Sequence, residues 1–162
     1  MSVTRLLQIR RAPFLLVALA VVACSDSAGA GPDVTGDFKA GPASFPPGSE
    51  IAVLQGDPSQ AGPYTVRLRF PGDYRLPPHF HPTDENVTVI DGTFLVGMGD
   101  VVDLNSVVTL GPGGFITAPA GGHHFAVARG QTVVQVHGQG PFAITYVNPA
   151  DDPVTGREAG GG

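Results

Sequence analysis

Two of the five histidines in this chain, His79 and His81, are separated by a single residue. On a β-strand, side chains alternate between the two faces, so His79 and His81 point the same way with Cα atoms about 6.5 to 7 Å apart. A predicted turn at residues 82–84 follows, and Glu85 then opens a second predicted strand, on which it can share the histidines' face. These three side chains can therefore converge on one ion.

A fourth candidate ligand is one of the adjacent histidines His123 and His124, which follow a turn rich in glycine and proline at residues 119–122. Three neutral imidazoles and one carboxylate suit a borderline divalent transition metal, with bonds of about 2.0 to 2.2 Å. Zinc, manganese, iron, nickel and copper all fit, and the spacing does not choose among them. The alternative is that these histidines are structural, an interpretation that suits a lone histidine better than four groups at matched spacing.

These two stretches resemble the paired motifs of the cupin superfamily, G-x5-H-x-H-x3,4-E-x6-G and G-x5-P-x-G-x2-H-x3-N. The first motif matches Gly72, His79, His81, Glu85 and Gly92, and the second matches Gly113, Pro119, Gly121 and His124. This chain departs from the pattern by one extra residue between Gly72 and His79 and by Ala128 in place of the asparagine. The resemblance covers roughly residues 50 to 147, and it implies that His79, His81, Glu85 and His124 are metal ligands.

The two remaining histidines have different expected places. His123 precedes the proposed ligand His124, so on a strand it points the opposite way, outward or to the rim. His137 shares a face with Gln135, and alternation does not say whether that face is buried. If it is inward, His137 is a candidate catalytic proton carrier; if it is outward, His137 is a solvated surface residue.

The expected fold class is all-β. Ten short runs rich in Val, Phe, Thr and Tyr are separated by Gly, Pro, Asp and Asn, a pattern typical of a sandwich or barrel. Asp91-Gly92 predicts a type I′ hairpin between two of these runs. The resemblance implies a cupin-type jelly-roll barrel with a small-ligand cavity, whose walls we expect to be apolar. The candidate wall residues chosen by alternation are Phe70, Val87, Val89, Phe94, Val96, Phe115, Ala126 and Phe142.

The first 23 residues have the features of a secretory signal, with Arg5, Arg10 and Arg11 ahead of an apolar run too short to span a bilayer. The run ends at Cys24, the only cysteine, in a context that resembles the bacterial lipoprotein box. We therefore expect export to the periplasm or cell envelope with a lipid anchor at Cys24. An ordinary signal peptide cut nearby, after Ala30 for example, is the alternative.

The predicted domain organisation is a signal peptide at 1–23, a flexible tether at 24–48, one cupin domain at 49–148 and a disordered tail at 149–162. Removing residues 1–23 takes away three of nine basic residues and none of the fourteen acidic ones, which leaves a net charge near −8. That charge excludes nucleic acid as an expected partner and limits membrane contact to the anchor. The expected partners are a small molecule and, as a candidate, a second copy of the chain.

The resemblance leaves the activity open, since it covers dioxygenases, isomerases, decarboxylases, storage proteins and ligand-sensing domains. Three histidines and one glutamate leave one or two open positions on a five- or six-coordinate ion. The sequence therefore predicts either a metal-dependent oxygenase or isomerase, or a non-catalytic module that binds or senses metal and ligand. A structural β-domain without ligand is a third interpretation.

Overall fold

The computed structural model describes residues 34–155. The predicted signal peptide, Cys24, the first part of the predicted tether and residues 156–162 lie outside this range. Within it, no helix combines the length and hydropathy needed to cross a membrane. The strands are β1 (Lys39–Ala40), β2 (Glu50–Gln55), β3 (Gly62–Phe70), β4 (Arg75–Phe80), β5 (Glu85–Met98), β6 (Val107–Leu110), β7 (Phe115–Ala118), β8 (His124–Gly140) and β9 (Thr145–Tyr146).

Two long strands, β5 and β8, pair with each other along most of their length and belong to both sheets of a jelly roll. Their halves 85–91 and 132–140 lie in the first sheet, which has the order β1-β2-β3-β8-β5-β7. Their halves 93–98 and 124–129 lie in the second sheet, which has the order β9-β4-β8-β5-β6. All pairs are antiparallel, which confirms the predicted all-β fold.

The predicted hairpin at Asp91-Gly92 is wrong, because β5 continues through these residues and bends there from one sheet into the other. The register with β8 shifts on both sides of Asp91, as expected for strands that turn a corner through a bulge. Gly92 has φ +84°, and a Cβ at this position would lie 2.5 Å from the carbonyl oxygen of Gln131. Glycine is therefore required for the bend and for the close approach of β8.

The core lies between the two sheets and is built by alternate residues of each strand. On β3 the inward residues are Tyr64, Val66, Leu68 and Phe70, and on β5 they include Val87 and Val89. The alternation predicted from sequence therefore holds for most of the expected wall residues. Phe115 is the exception, since its side chain is 54% exposed while its neighbour Ile116 packs against the core.

The described part of the predicted tether is folded, which corrects its assignment as flexible chain. Lys39–Ala40 forms β1 against β2, and Phe45 is 4% exposed within the core cluster. Although the segment contains few apolar residues, its Phe45 side chain packs in the core of the barrel. The predicted tail also starts with order, because Pro149–Asp151 forms a 3₁₀ turn capped by the side chain of Asn148.

Candidate metal centre

His79 and His81 reach the interior because β4 is irregular just before them. Pro77 and Pro78 have no backbone N–H to donate to the neighbouring strand, and the register with β8 shifts between Leu76 and His79. Such a bulge re-aims the side chains that follow it. His79 and His81 consequently point inward together, with exposed fractions of 2% and 3%.

His124 is the first residue of β8 and pairs directly with His79 on β4. The ring centroids of His79 and His124 are 4.2 Å apart, and those of His81 lie 5.0 Å from His79 and 5.2 Å from His124. One ring nitrogen from each of the three residues falls within 4.8 Å of the other two. The structure therefore brings the three predicted histidine ligands together.

Each imidazole is oriented by a hydrogen bond from its Nδ1 to a backbone carbonyl oxygen. His79 Nδ1 lies 2.6 Å from the oxygen of Pro77, His81 Nδ1 lies 2.8 Å from that of Ala143, and His124 Nδ1 lies 2.9 Å from that of Gly122. A carbonyl can only accept, so each Nδ1 carries hydrogen. Anchoring a ring in this way leaves Nε2 available to a metal.

Glu85 approaches the histidines from the opposite sheet, as the first residue of β5. Its Oε2 lies 3.5 Å from His81 Nε2 and 3.9 Å from His124 Nε2. At these separations the contacts are electrostatic rather than hydrogen-bonded, and Nε2 of both histidines is buried without a hydrogen-bond partner. The carboxylate thus lies beside His81 and His124, while the group whose ligand atoms all lie within 4.8 Å of one another consists of the three histidines.

The four candidate ligands differ in the direction in which the site shifts their pKa values. Burial lowers the pKa of His79 to about 3, and the nearby His124 adds to the effect. Burial also lowers the pKa of His124. Burial opposes charge on His81 and Glu85 as well, but their contact outweighs it, so the pKa of His81 is raised and that of Glu85 is lowered.

This donor set fits a divalent transition metal. Two atoms bound to one ion at about 2.1 Å can lie at most about 4.2 Å apart, and both Glu85–histidine separations already meet that limit. Two buried imidazole nitrogens without partners are costly unless something binds them. Three nitrogens and one carboxylate oxygen match the ligand preferences of iron, manganese, zinc, nickel and copper.

A narrow cavity of about 20 Å³ extends from the cluster into the barrel, enough space for about one water molecule. Apart from the four candidate ligands, every residue that lines it is apolar. These residues are Phe45, Leu68, Phe70, Leu76, Val87, Phe94, Val96, Ile116, Ala118, Ala126, Val134 and Val136. The cavity therefore presents the candidate metal site as its polar end.

Residues 42–154 match the family model described as domain of unknown function DUF4437. The chain belongs to this family. No curated protein matches it. Among solved structures, an oxalate oxidase shares 25% identity over 67% of this chain and 60% of its own, with a TM-score of 0.50. The chain thus spans about 60% of the length of that oxidase.

Two further structures show the fold. The polyketide cyclase RemF from Streptomyces resistomycificus is 20% identical over 75% of this chain and 88% of its own, with a TM-score of 0.59. An RmlC-like cupin from Shewanella frigidimarina is 15% identical over 65% and 84%, with a TM-score of 0.51. Both structures share the fold of this chain.

The structure does not bring His137 to the cluster of this DUF4437 domain. Val134 and Val136 of β8 point into the core, so alternation turns His137 outward, where it is exposed. It lines an open surface depression with Asn86 and Tyr64 instead. Of the two placements left open by the sequence, the solvated one is observed, and His137 cannot carry protons at the candidate metal site.

Other polar side chains of the two matched stretches also lie outside the cavity. His123 faces outward, with Nδ1 2.6 Å from Oδ1 of Asp100 and its ring stacked on Phe80. Asp84, which ends the turn predicted at residues 82–84, accepts a hydrogen bond of 2.8 Å from the backbone N–H of Ala120. Thr117 is exposed and bonds to Asn86.

Seven apolar residues that line the cavity were not among the expected wall residues, and one of them lies in the predicted tether; the other six are Leu68, Leu76, Ile116, Ala118, Val134 and Val136. Phe45 lines the cavity and lies outside the two matched motifs, in a segment whose Pro and Gly content indicated a tether. The available signal was a single large aromatic in an otherwise small and polar stretch. Burial of that side chain provides a reason for the segment to fold.

Proposed function

We propose that this protein binds one divalent transition-metal ion through His79, His81, Glu85 and His124, and that a small molecule binds beside the ion. The observation that carries this proposal is the orientation of the imidazoles. All three donate Nδ1–H to backbone carbonyls, so that Nε2 remains available, and the buried Nε2 atoms of His81 and His124 have no other partner.

We further propose that the bound ion supports oxidation by dioxygen rather than isomerisation. Proton abstraction and return require an acid or a base beside the metal, and no lining residue of the cavity other than the candidate ligands can serve. A redox-active ion would supply the reactivity itself. The protein would then hold the ion, orient the substrate by its apolar walls and exclude bulk water.

The likeness to an oxalate oxidase supports the reaction class more than the substrate. Oxalate carries two negative charges, whereas the walls of this cavity are apolar beyond the candidate ligands. Burying a second carboxylate there without a partner would be costly. A small molecule with one metal-binding group and an apolar remainder matches the chemistry of these walls better.

A non-catalytic binding or sensing module is the second candidate. It is favoured by the same feature that argues against isomerisation, since a pocket without an acid or base can capture a ligand without changing it. The two candidates differ in whether the metal-loaded protein consumes dioxygen.

For location, we propose export and anchoring through a lipid on Cys24. This rests on the arginines and apolar run of residues 1–23 and on the single cysteine that follows them. It would place the candidate metal centre at the cell envelope.

The test combines metal content with oxygen uptake. Elemental analysis of protein purified from the envelope of its own host should show about one transition-metal ion per chain, and absence of metal would contradict the proposed site. The apoprotein is then loaded separately with iron, manganese or zinc and given short monocarboxylic acids in an oxygen electrode. Uptake with iron or manganese but not zinc supports oxidation, while none with any loaded form favours the binding module.

A further inference from the structure

The loop at residues 42–48 closes one side of the candidate metal cavity through Phe45. Fourteen of the sixteen residues that line this cavity belong to strands, and His81 directly follows β4. Phe45 alone among them lies on a loop away from any strand. The strand residues are fixed by ladder hydrogen bonds, so Phe45 is the wall residue that can move without disrupting a sheet.

Two tyrosine hydroxyls hold this loop in place. Tyr146 donates a hydrogen bond of 2.8 Å to the carbonyl oxygen of Ser44, and Tyr74 donates one to that of Pro46. Both rings are buried, and Tyr146 on β9 pairs directly with His79 on β4. The two hydrogen bonds on either side of Phe45 therefore connect the loop to the neighbourhood of β4, since Tyr74 directly precedes this strand and Tyr146 lies on the strand paired with it.

The inner side of Phe45 is also connected to the cluster through Phe142. The two rings meet edge-on with centroids 6.0 Å apart, and the ring of Phe142 lies 5.1 Å from that of His81. The next residue, Ala143, accepts the hydrogen bond from His81 Nδ1. A second apolar cavity, of about 50 Å³, adjoins this contact and is lined by Phe45, Phe142 and Glu85 among others.

The 42–48 loop also has a conformationally special residue at its end. Gly48 has φ +105°, a backbone conformation that residues with a Cβ rarely adopt. Pro46 and Pro47 stiffen the chain between Phe45 and this glycine. The loop therefore ends at a glycine that permits this backbone conformation.

We propose that Phe45 is the specificity-determining residue of the site. Its side chain, on a loop held by Tyr74 and Tyr146, blocks one side of the cavity and so limits the ligand to a small molecule. This inference rests on the proposed metal and ligand site. Removing the phenyl ring would join the cavities of about 20 and 50 Å³, since Phe45 lines both. Ligands with one metal-binding carboxylate and a larger apolar group would then be admitted.

The first test measures ligand size directly on cobalt-loaded protein. Acetate and benzoate are titrated against the visible absorption of the bound cobalt in the unmodified protein and in Phe45→Ala. We expect the substitution to tighten benzoate binding at least tenfold and to change acetate binding less than threefold. Phe115→Ala is the matched control, because it removes the same group from an exposed position and should change neither.

Phe45→Leu keeps an apolar side chain in the core and replaces Phe45→Ala if the latter does not fold. A folded variant that binds cobalt and discriminates between acetate and benzoate as the unmodified protein does would overturn the proposal. If the unmodified protein binds no cobalt, the proposed function fails, and the loop is then judged by a second measurement that needs no metal.

That measurement is amide hydrogen exchange in Tyr146→Phe. The N–H groups of Gly41 and Phe45 donate to the carbonyls of Ser49 and Pro42, so both report opening of the loop. We expect their exchange to accelerate at least tenfold, while the Gly113 N–H, which bonds to Val89 outside the loop, is unchanged. Tyr64→Phe removes a buried hydroxyl that does not bond to the loop and should leave Phe45 protected. If the Gly41 and Phe45 N–H groups are as protected from exchange in Tyr146→Phe as in the unmodified protein, Tyr146 does not hold the loop and the proposal is refuted.

Discussion

Replacement of His124 by leucine tests whether the cluster is a binding site or part of the structural core. In the metal-free protein, the buried Nε2 of His124 has no partner, which costs about 1 to 3 kcal/mol. Leucine removes that cost but also removes the hydrogen bond from Nδ1 to Gly122, worth about 0.5 to 1.5 kcal/mol. The two effects oppose each other, so the free energy of unfolding without metal should change by less than about 2 kcal/mol.

With metal, the same variant should differ strongly from the unmodified protein. A ligand at a thousand times its Kd adds about 4 kcal/mol to the free energy of unfolding. For a domain of this size that corresponds to a rise in Tm of about 15 °C. His124→Leu should lose most of that rise, because one of four donors is gone and the affinity falls by about two to three orders of magnitude if the binding energy is shared evenly.

The assay is thermal unfolding with EDTA and with excess zinc or manganese. His137→Leu provides the matched control, since it makes the same substitution on the same strand at an exposed position and should keep the full metal-induced rise. The reasoning is refuted if His124→Leu is stabilised by metal as much as the unmodified protein. A loss of more than about 4 kcal/mol in EDTA would instead assign His124 to the core.

Three further predictions follow from the sequence and the structure. Because the pKa values of His79 (about 3) and His124 are lowered, the folded state binds fewer protons than the unfolded state, and the Tm in EDTA should fall as pH drops below about 6.5. The lowered pKa of Glu85 adds to this loss of stability below about pH 4.5, and the raised pKa of His81 opposes the effect of the other two histidines only in part. A Tm that stays constant from pH 7 to 4 would contradict these pKa shifts. Gly97→Ala should destabilise the domain by about 1 to 3 kcal/mol in urea unfolding, because the new Cβ would lie 2.2 Å from the ring of buried Phe125, whereas Gly111→Ala, with open space around it, should be near neutral. Cys24→Ser should move the protein from the membrane fraction to the soluble fraction, and retention in the membrane would count against lipidation at this residue.

Much of the site could be predicted because its information is local. The spacing of His79 and His81 on a strand, and the alternation that puts Glu85 with Val87 and Val89, depend only on the two-residue period of β-structure. The same period, repeated over short runs between turns, was sufficient for the all-β class. The hairpin at Asp91-Gly92 was the instructive error, because a turn sequence also suits the corner of a strand that changes sheets, and local chemistry does not distinguish the two.

By itself, the sequence determined the kind of donors, their spacing within each motif and the faces that alternate side chains share. Only the tertiary structure decided that Glu85 and His124, thirty-nine residues apart, meet across the two sheets. It also decided that His137 points outward and that Phe45 closes the cavity. The physical reason is that alternation sets relative orientation along one strand, whereas which face is buried depends on the partner sheet that covers it.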